Sequence, residues 1–118
     1  MNKNKFVYHI TSFAEWNAAQ SQEEYKAQGF DTEGFIHCSY CHQILTVAHR
    51  FFKGQSGLVI LVIESSKINN SLVEENLEGG VELYPHLYSV LPTKAVSNAI
   101  AFPCNIDGNF TLPDELKV

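Results

Sequence analysis

Short apolar and β-branched runs recur along the chain, and they predict strands rather than long helices. Five such runs are found at residues 6–10, 34–37, 72–75, 81–84 and 96–102. Short runs of this kind, separated by polar and turn-forming residues, are typical of strands. A sixth run, at residues 58–63, is apolar at every position, which predicts a strand covered on both faces.

Two segments in the first half of the chain have apolar residues at helical spacing. The first begins at Ser12 and Glu15, which have the S/T-x-x-E spacing of a capping box, and it extends to Gly29. Its apolar positions are Phe13, Trp16, Ala19 and Tyr25. The second covers residues 40–53, with an apolar stripe on one face, and ends at Gly54. The pattern therefore predicts two N-terminal helices.

The order of these elements indicates the fold class. Residues 65–70 favour a turn, and Asp107-Gly108 is a strong signal for a hairpin between two short strands. Because the helices come early and most strands late, we predict an α+β fold with a mixed or antiparallel sheet. With 118 residues and no internal repeat or linker, the chain is expected to form one domain over residues 1–118.

The composition narrows the classes of partner. Asp and Glu number 13 and Lys and Arg number 8, which gives a formal charge of −5 and argues against a nucleic-acid partner. The longest apolar run, residues 58–63, is far shorter than the ~20 residues that span a bilayer, so no membrane partner is expected. Because no signal-peptide core follows the N-terminus, we expect a cytoplasmic protein. The sequence does not indicate an oligomeric state.

Three cysteines are an odd number for a disulfide framework, but two of them form a motif. Cys38-Ser39-Tyr40-Cys41-His42 matches C-x-x-C-H, the haem-attachment pattern. A redox pair of Cys38 and Cys41, or a zinc site completed by Cys104 and a distant His, is also consistent with it. Haem attachment needs an exported chain, and Cys41 fits the apolar stripe of the second helix. We therefore expect structural cysteines, and no metal or cofactor is established.

Three histidines share a setting, each at or near the end of a predicted strand. They stand in the phrases Tyr8-His9-Ile10-Thr11, Phe35-Ile36-His37-Cys38-Ser39 and Tyr84-Pro85-His86-Leu87-Tyr88. Thr11 and Ser39 follow their histidines by two positions, so in an extended chain they lie on the same side. If the three phrases converge, they form a pocket of imidazole, hydroxyl and aromatic groups, suited to a planar, phosphorylated or ribosylated small molecule.

A structural role is the alternative for each of these residues. A histidine can be bound to a carbonyl or carboxylate of the scaffold, Thr11 and Ser39 can cap helices, and Tyr88 can lie at the edge of the core. His42 and His49 lie on the second predicted helix, and we assign them no role.

Glu75 is the carboxylate of most interest. It ends the predicted strand at residues 72–75, from which it could face the same cleft. There it could bind a ribose hydroxyl, stabilise a cationic glycosyl centre or act as a general base. An ordinary surface acid is the alternative. The sequence contains neither a Gly-rich phosphate loop nor a G-x-S-x-G motif.

Taken in order, several phrases resemble those of the bacterial domain-of-unknown-function 952 family. They are Tyr8-His9-Ile10-Thr11; Gly34-Phe35-Ile36-His37-Cys38-Ser39; Gln43 with Ala48-x-Arg50-Phe51-Phe52-x-Gly54; residues 58–63; Pro85-His86-Leu87-Tyr88 with Leu91-Pro92; and Asp107-Gly108-x-Phe110-x-Leu112-Pro113. The resemblance covers nearly the whole chain. Cys41-His42 departs from the family's pattern.

The resemblance implies an ADP-ribosyltransferase-like fold, in which a split mixed sheet surrounds a cleft that holds NAD in active relatives. It implies no established reaction. His9-Ile10-Thr11 is similar to the His-x-Ser/Thr element with which such transferases hold the nicotinamide ribose. His37 and Ser39 stand where those enzymes have an aromatic or Ser-containing second strand, and Glu75 is the nearest candidate for their glutamate.

Three functional hypotheses remain open. The first is a nucleotide-handling transferase or hydrolase that acts on NAD or an ADP-ribose-like ligand, with Glu75 and His37 as catalytic residues. Its ligand-binding residues are His9, Thr11, Ser39, His86 and Tyr88. The second is a non-catalytic small-molecule binding module on the same fold. The third is a thiol-dependent transferase or isomerase that uses Cys38.

Overall fold

The apolar run in the middle of the chain forms the central strand of the largest sheet. The computed structural model describes residues 5–76 and 80–117. Within them the strands are β1 (Phe6–Ser12), β2 (Glu24–Tyr25), β3 (Ile36–His37), β4 (Leu58–Glu64), β5 (Leu72–Glu75), β6 (Tyr84–Leu87), β7 (Leu91–Pro92) and β8 (Val96–Phe102). The α-helices there are α1 (Phe13–Gln20), α2 (Phe30–Glu33) and α3 (Ile44–Phe51). Single turns of 3-10 helix occupy Cys41–Gln43, Ser65–Lys67, Asn69–Ser71, Thr93–Ala95 and Asp114–Leu116.

The strand pairings among the described residues are all antiparallel. β4 pairs with β1 on one side and β8 on the other, β6 lies between β3 and β5, and β2 pairs with β7. An isolated bridge between Tyr8 and Ser39 joins β1 to the segment just after β3. The fold is therefore α+β, as the sequence predicts, and of the two predicted sheet types it has the antiparallel one.

β4 separates two hydrophobic cores, one on each face of its sheet. Leu61 lies in one core with Trp16 of α1, whereas Ile60 lies in the other with Ile44 of α3. This division follows from strand geometry, because successive side chains point to opposite faces. Residues 58–63 are all buried, which confirms the prediction of a strand covered on both faces.

The first predicted helix is shorter than its pattern indicates. Its start is as predicted, since the Ser12 hydroxyl accepts a hydrogen bond from the backbone N–H of Glu15. However, α1 ends well before Gly29, and Tyr25 lies in β2, where it pairs with Leu91. The helix prediction was wrong here because this pairing joins segments that are far apart in sequence, which local periodicity does not contain.

β6 begins later than the apolar run that predicts it. Residues 81–83 are exposed and lie outside strands, and pairing starts at Tyr84. The preceding loop is held by Gln43, a buried side chain whose amide donates to the Leu83 carbonyl and to the Glu82 carboxylate. The strand predicted at residues 81–84 is therefore corrected, since this buried amide holds the backbone outside the sheet.

The C-terminal hairpin prediction is half right. Asp107-Gly108 forms a turn with backbone hydrogen bonds around Asn105 and Asn109, but strands do not flank it in the part of the chain that the structure describes.

The second predicted helix is present as a 3-10 turn followed by α3, and the predicted turn at residues 65–70 consists largely of 3-10 helix. In residues 5–76 and 80–117, every helix is too short or too polar to cross a membrane.

Candidate functional site

A cavity of about 310 Å³ opens beside the C-terminal half of β1, between β3, β6 and α3. Among the residues singled out in the sequence, those that line it are His9, Thr11, His37, Cys38, Ser39 and His86. Glu75 and Tyr88 do not line it, although a chain of hydrogen bonds connects both to His86. The structure therefore brings the three histidine phrases to one place.

Antiparallel pairing explains this convergence. His9 and Thr11 are two positions apart on β1, so their side chains face the same side of the sheet. The isolated bridge holds the end of β3 beside that strand. His37 and His86 are partners in the β3–β6 register, which places their side chains on one face. The ring centroids of these two histidines are 5.4 Å apart.

His9 is held at both ring nitrogens. Its Nδ1 lies 2.6 Å from the backbone carbonyl oxygen of His37, and its Nε2 lies 2.9 Å from the Tyr25 hydroxyl. That hydroxyl is also 2.9 Å from Thr11 Oγ1. Because a carbonyl only accepts, Nδ1–H donates, and Nε2 of the neutral ring accepts the Tyr25 proton. Thr11 in turn donates to Tyr25, which completes a continuous chain of hydrogen bonds.

Burial determines the charge of the His9 and Tyr25 side chains. Desolvation lowers the pKa of His9 to about 4, and the opposing hydrogen bond to the His37 carbonyl offsets only part of that effect. Burial also raises the pKa of Tyr25 to about 12. Both side chains are therefore neutral near pH 7. The His9–Tyr25 pair is therefore polar but uncharged, and it offers the cavity a hydroxyl group rather than a free imidazole nitrogen.

His86 is held by the scaffold at one nitrogen. Its Nδ1 donates to Glu75 Oε1 at 3.0 Å, and the Tyr88 hydroxyl donates to the same carboxylate oxygen. These two hydrogen bonds, that of Tyr88 above all, hold the pKa of Glu75 below its usual value, so the carboxylate is ionised near pH 7. The prediction that Glu75 faces the cleft is corrected, because β5 lies one strand further from the cavity than β6.

Aromatic rings surround the two histidines of β3 and β6. The Phe35 ring stacks on His86 with centroids 4.3 Å apart, and it lies 4.8 Å from the His37 ring and 5.2 Å from that of Tyr88. The His37 side chain is about half exposed, and its Nε2 is 3.1 Å from Glu33 Oε1. His37 therefore lies at the solvent side of the site, whereas His86 is buried.

Three of the other lining residues bear on the chemistry of the cavity, and the sequence does not mark them as site residues. The sequence predicts Tyr25 on the apolar face of the first helix, and no local signal marks its hydroxyl. Glu15 was assigned only to the capping box, yet its carboxylate lies 3.5 Å from Thr11 Oγ1. Arg50 appeared only within a family phrase; it lines the cavity with its guanidinium over the Phe51 ring, 5.2 Å from the centroid.

The C-x-x-C-H residues have separate surroundings. Cys38 lines the cavity, and burial raises the pKa of its thiol to about 12. The Cys41 thiol donates to the Leu116 carbonyl, and His42 pairs with Glu82 at the surface. All three cysteines are free. Among the described residues, groups of three or more His, Cys, Asp or Glu side chains arranged to hold a metal ion are not found.

Comparison with known proteins places the chain in one family. A family model described as a protein of unknown function (DUF952) matches residues 10–99. The crystal structure of protein CC0527 from Caulobacter crescentus is similar, with 33% identity, a TM-score of 0.86, and coverage of 96% of this chain and 99% of that one. The solution NMR structure of CC0527 has 34% identity and a TM-score of 0.81, over 94% of this chain and 96% of that one. No curated protein matches. Because the family model covers most of the sequence, the chain belongs to the DUF952 family of proteins of unknown function.

Proposed function

We propose that this DUF952 protein binds a nucleotide-type small molecule, NAD or an ADP-ribose-like ligand, in the histidine-lined cavity. The observation that carries the proposal is the convergence of three separate histidine phrases on one concave site. Small-molecule sites usually have volumes of ~300–1,000 Å³, and this cavity, at about 310 Å³, is at the lower end of that range. Its size suits the nucleoside part of such a ligand, with the phosphates toward the opening.

The lining residues suit the chemistry of a nucleotide. The hydroxyl groups of Thr11 and Tyr25 are neutral partners for ribose hydroxyls or for a carboxamide. Arg50 offers a planar guanidinium that matches phosphate oxygens. Because the whole chain has a formal charge of −5, local donors of this kind, rather than a basic surface, would hold the phosphates.

The proposal includes an ADP-ribosyltransferase-like arrangement, with β1 as the strand that holds the ribose. The hydrogen bonds of His9 support a change in the expected roles of His9 and Thr11. Since both ring nitrogens of His9 are bound inside the protein, Thr11 is the residue that contacts the ribose, and His9 orients it through Tyr25. His37 and Ser39, on the segment beside β1, contact a phosphate or the second ribose.

A thiol-dependent reaction at Cys38 is disfavoured. The nucleophile in such chemistry is the thiolate, and with a pKa of about 12 the buried thiol remains protonated near pH 7. A non-catalytic binding module and an enzyme would both bind the ligand in this cavity, and they differ only in turnover. Both hypotheses are therefore consistent with the binding proposed here.

Thermal unfolding in the presence of NAD or ADP-ribose at millimolar concentration tests this binding. At ten times its Kd, a ligand stabilises the native state by about 1.4 kcal/mol, which corresponds to a rise in Tm of ~5 °C. Thr11→Val removes the hydroxyl and keeps the side-chain shape, so we expect it to abolish most of the rise. Ser39→Ala should reduce the rise, whereas Ser89→Ala, outside the cavity, should leave it unchanged.

Two results would contradict the proposal. One is an unchanged Tm of the wild-type protein with both ligands at millimolar concentration. The other is a full rise in the Thr11→Val and Ser39→Ala variants, because binding would then take place away from this cavity. The Ser89→Ala control separates a loss of binding from the general effect of removing a hydroxyl.

A further inference from the structure

The three histidines of the cavity differ in the ring nitrogen that remains available. Both nitrogens of His9 are hydrogen-bonded inside the protein, and Nε2 of His37 is paired with Glu33 on the solvent side. In His86, Nδ1 is bound to Glu75, and Nε2 has no hydrogen-bond partner among residues 5–76 and 80–117. Every fully enclosed polar side-chain atom in those residues has a partner, so Nε2 retains some accessible surface, and His86 lines the cavity.

Glu75 determines which nitrogen of His86 carries the proton. An ionised carboxylate only accepts hydrogen bonds, so in the neutral ring the proton is on Nδ1 and the lone pair is on Nε2. The Tyr88 hydroxyl donates to the same carboxylate oxygen, and the Phe35 ring stacks on the imidazole and holds its plane. A buried imidazole whose Nδ1–H is fixed by a carboxylate, with an accessible Nε2 beside a cavity, has the arrangement of a general base.

We propose that His86 is a catalytic base through which the cavity hydrolyses the N-glycosidic bond of a nicotinamide nucleotide. This inference rests on the nucleotide binding proposed above. It makes Glu75 and Tyr88 positioning residues that act through His86, in place of the direct catalytic role that the sequence indicates for Glu75.

The reaction needs water as its second substrate. Nε2 of His86 accepts a proton from a water molecule while the water oxygen forms a bond to the anomeric carbon of the ribose. The bond between that carbon and the ring nitrogen of nicotinamide breaks, and its electron pair returns to the nitrogen. Neutral nicotinamide leaves, the ribose keeps the new hydroxyl group, and the proton on His86 passes to solvent.

Two measurements on the full chain test the inference, with NAD as the probe. Calorimetric titration gives the Kd, and chromatography gives the rate of nicotinamide release. His86→Asn keeps an amide donor for Glu75 and removes the atom at Nε2, so kcat should fall by ~10²–10⁴-fold while Kd stays within about threefold. Glu75→Gln should lower kcat by about tenfold or more with little change in KM, because the tautomer of His86 is no longer fixed.

A second imidazole–carboxylate pair provides matched controls. His42 Nε2 lies 3.2 Å from Glu82 Oε1, but this pair is exposed and outside the cavity. His42→Asn and Glu82→Gln should therefore retain the wild-type kcat. If His86→Asn does not fold, as judged by circular dichroism, His86→Gln serves in its place because it also lacks a basic nitrogen.

The outcomes separate the two proposals. Absence of NAD binding by the wild-type protein refutes the proposed function, and this inference with it. Binding without nicotinamide release above the protein-free rate leaves the proposed function standing and overturns the inference. The inference is also overturned if the His86 variant keeps kcat within threefold of wild type, or if the His42 and His86 variants lose activity equally.

Discussion

Lowering the pH from 7 to 4.5 is expected to destabilise the native state through His9. Its imidazole is buried and neutral, with Nδ1 bound to the His37 carbonyl and Nε2 to the Tyr25 hydroxyl. In the unfolded chain the same ring is in water and takes up a proton as the pH falls below its ordinary pKa. Because the unfolded state then binds more protons than the native state, acidification favours unfolding.

The size of the effect follows from the pKa of His9 in the two states. Burial lowers that pKa from 6.5 to about 4 in the native protein. The stability associated with a neutral His9 is complete above pH 6.5 and is lost progressively as the pH falls toward 4. Between pH 7 and 4.5 the loss amounts to about 2–3 kcal/mol, with a slope of up to ~1.4 kcal/mol per pH unit.

Urea unfolding of wild type and of His9→Gln between pH 7 and 4.5 isolates this contribution. Glutamine does not titrate, so the difference in unfolding free energy between the two proteins should shrink by about 2–3 kcal/mol across that range. His42→Gln, at an exposed position, controls for the removal of a histidine as such. A difference between wild type and His9→Gln that is constant within ~0.5 kcal/mol would refute the reasoning, as would an NMR titration midpoint of the His9 ring near its ordinary value.

Two further predictions concern the buried residues around the cavity. Tyr25→Phe leaves Nε2 of His9 without a donor, and it should lower the unfolding free energy measured by urea denaturation by ~1–3 kcal/mol. Tyr40→Phe is the control, because the Tyr40 hydroxyl donates to an exposed carboxylate, and it should change that free energy by less than ~0.5 kcal/mol. Cys38 should resist iodoacetamide at pH 8 in the native protein and react in urea, because burial raises the pKa of its thiol to about 12. Mass spectrometry measures the labelling in both states. Equal labelling of Cys38 in the native and the unfolded protein would show that the thiol is accessible.

Elements that depend on local patterns could be predicted from the sequence. The apolar run at residues 58–63 required a strand buried on both faces, and it forms most of β4. The Ser12 cap marked the start of α1, and the amphipathic stripe of residues 40–53 marked α3. In each case the physical cause lies within a few residues of the element, as a face to be buried or a backbone N–H to be satisfied.

The ends of several elements could not be predicted in this way. Tyr25 has the spacing of a helical residue, yet its pairing with Leu91 places it in β2. Residues 81–83 have the composition of a strand, yet Gln43 holds them in a loop. In both cases a contact with a segment distant in the chain determines the local structure. Local preferences for helix or strand are weak, so such a contact is enough to override them.

The same division applies to the candidate site. The sequence by itself determined which residues have the chemistry, namely three histidines in mixed polar and aromatic phrases. Only the tertiary structure decided that the phrases meet at one cavity, that Tyr25 occupies a nitrogen of His9, and that Glu75 reaches the cavity through His86. The reason is that hydrogen-bond partners and burial, which set the tautomer and charge of each imidazole, are created by strand pairing between distant segments.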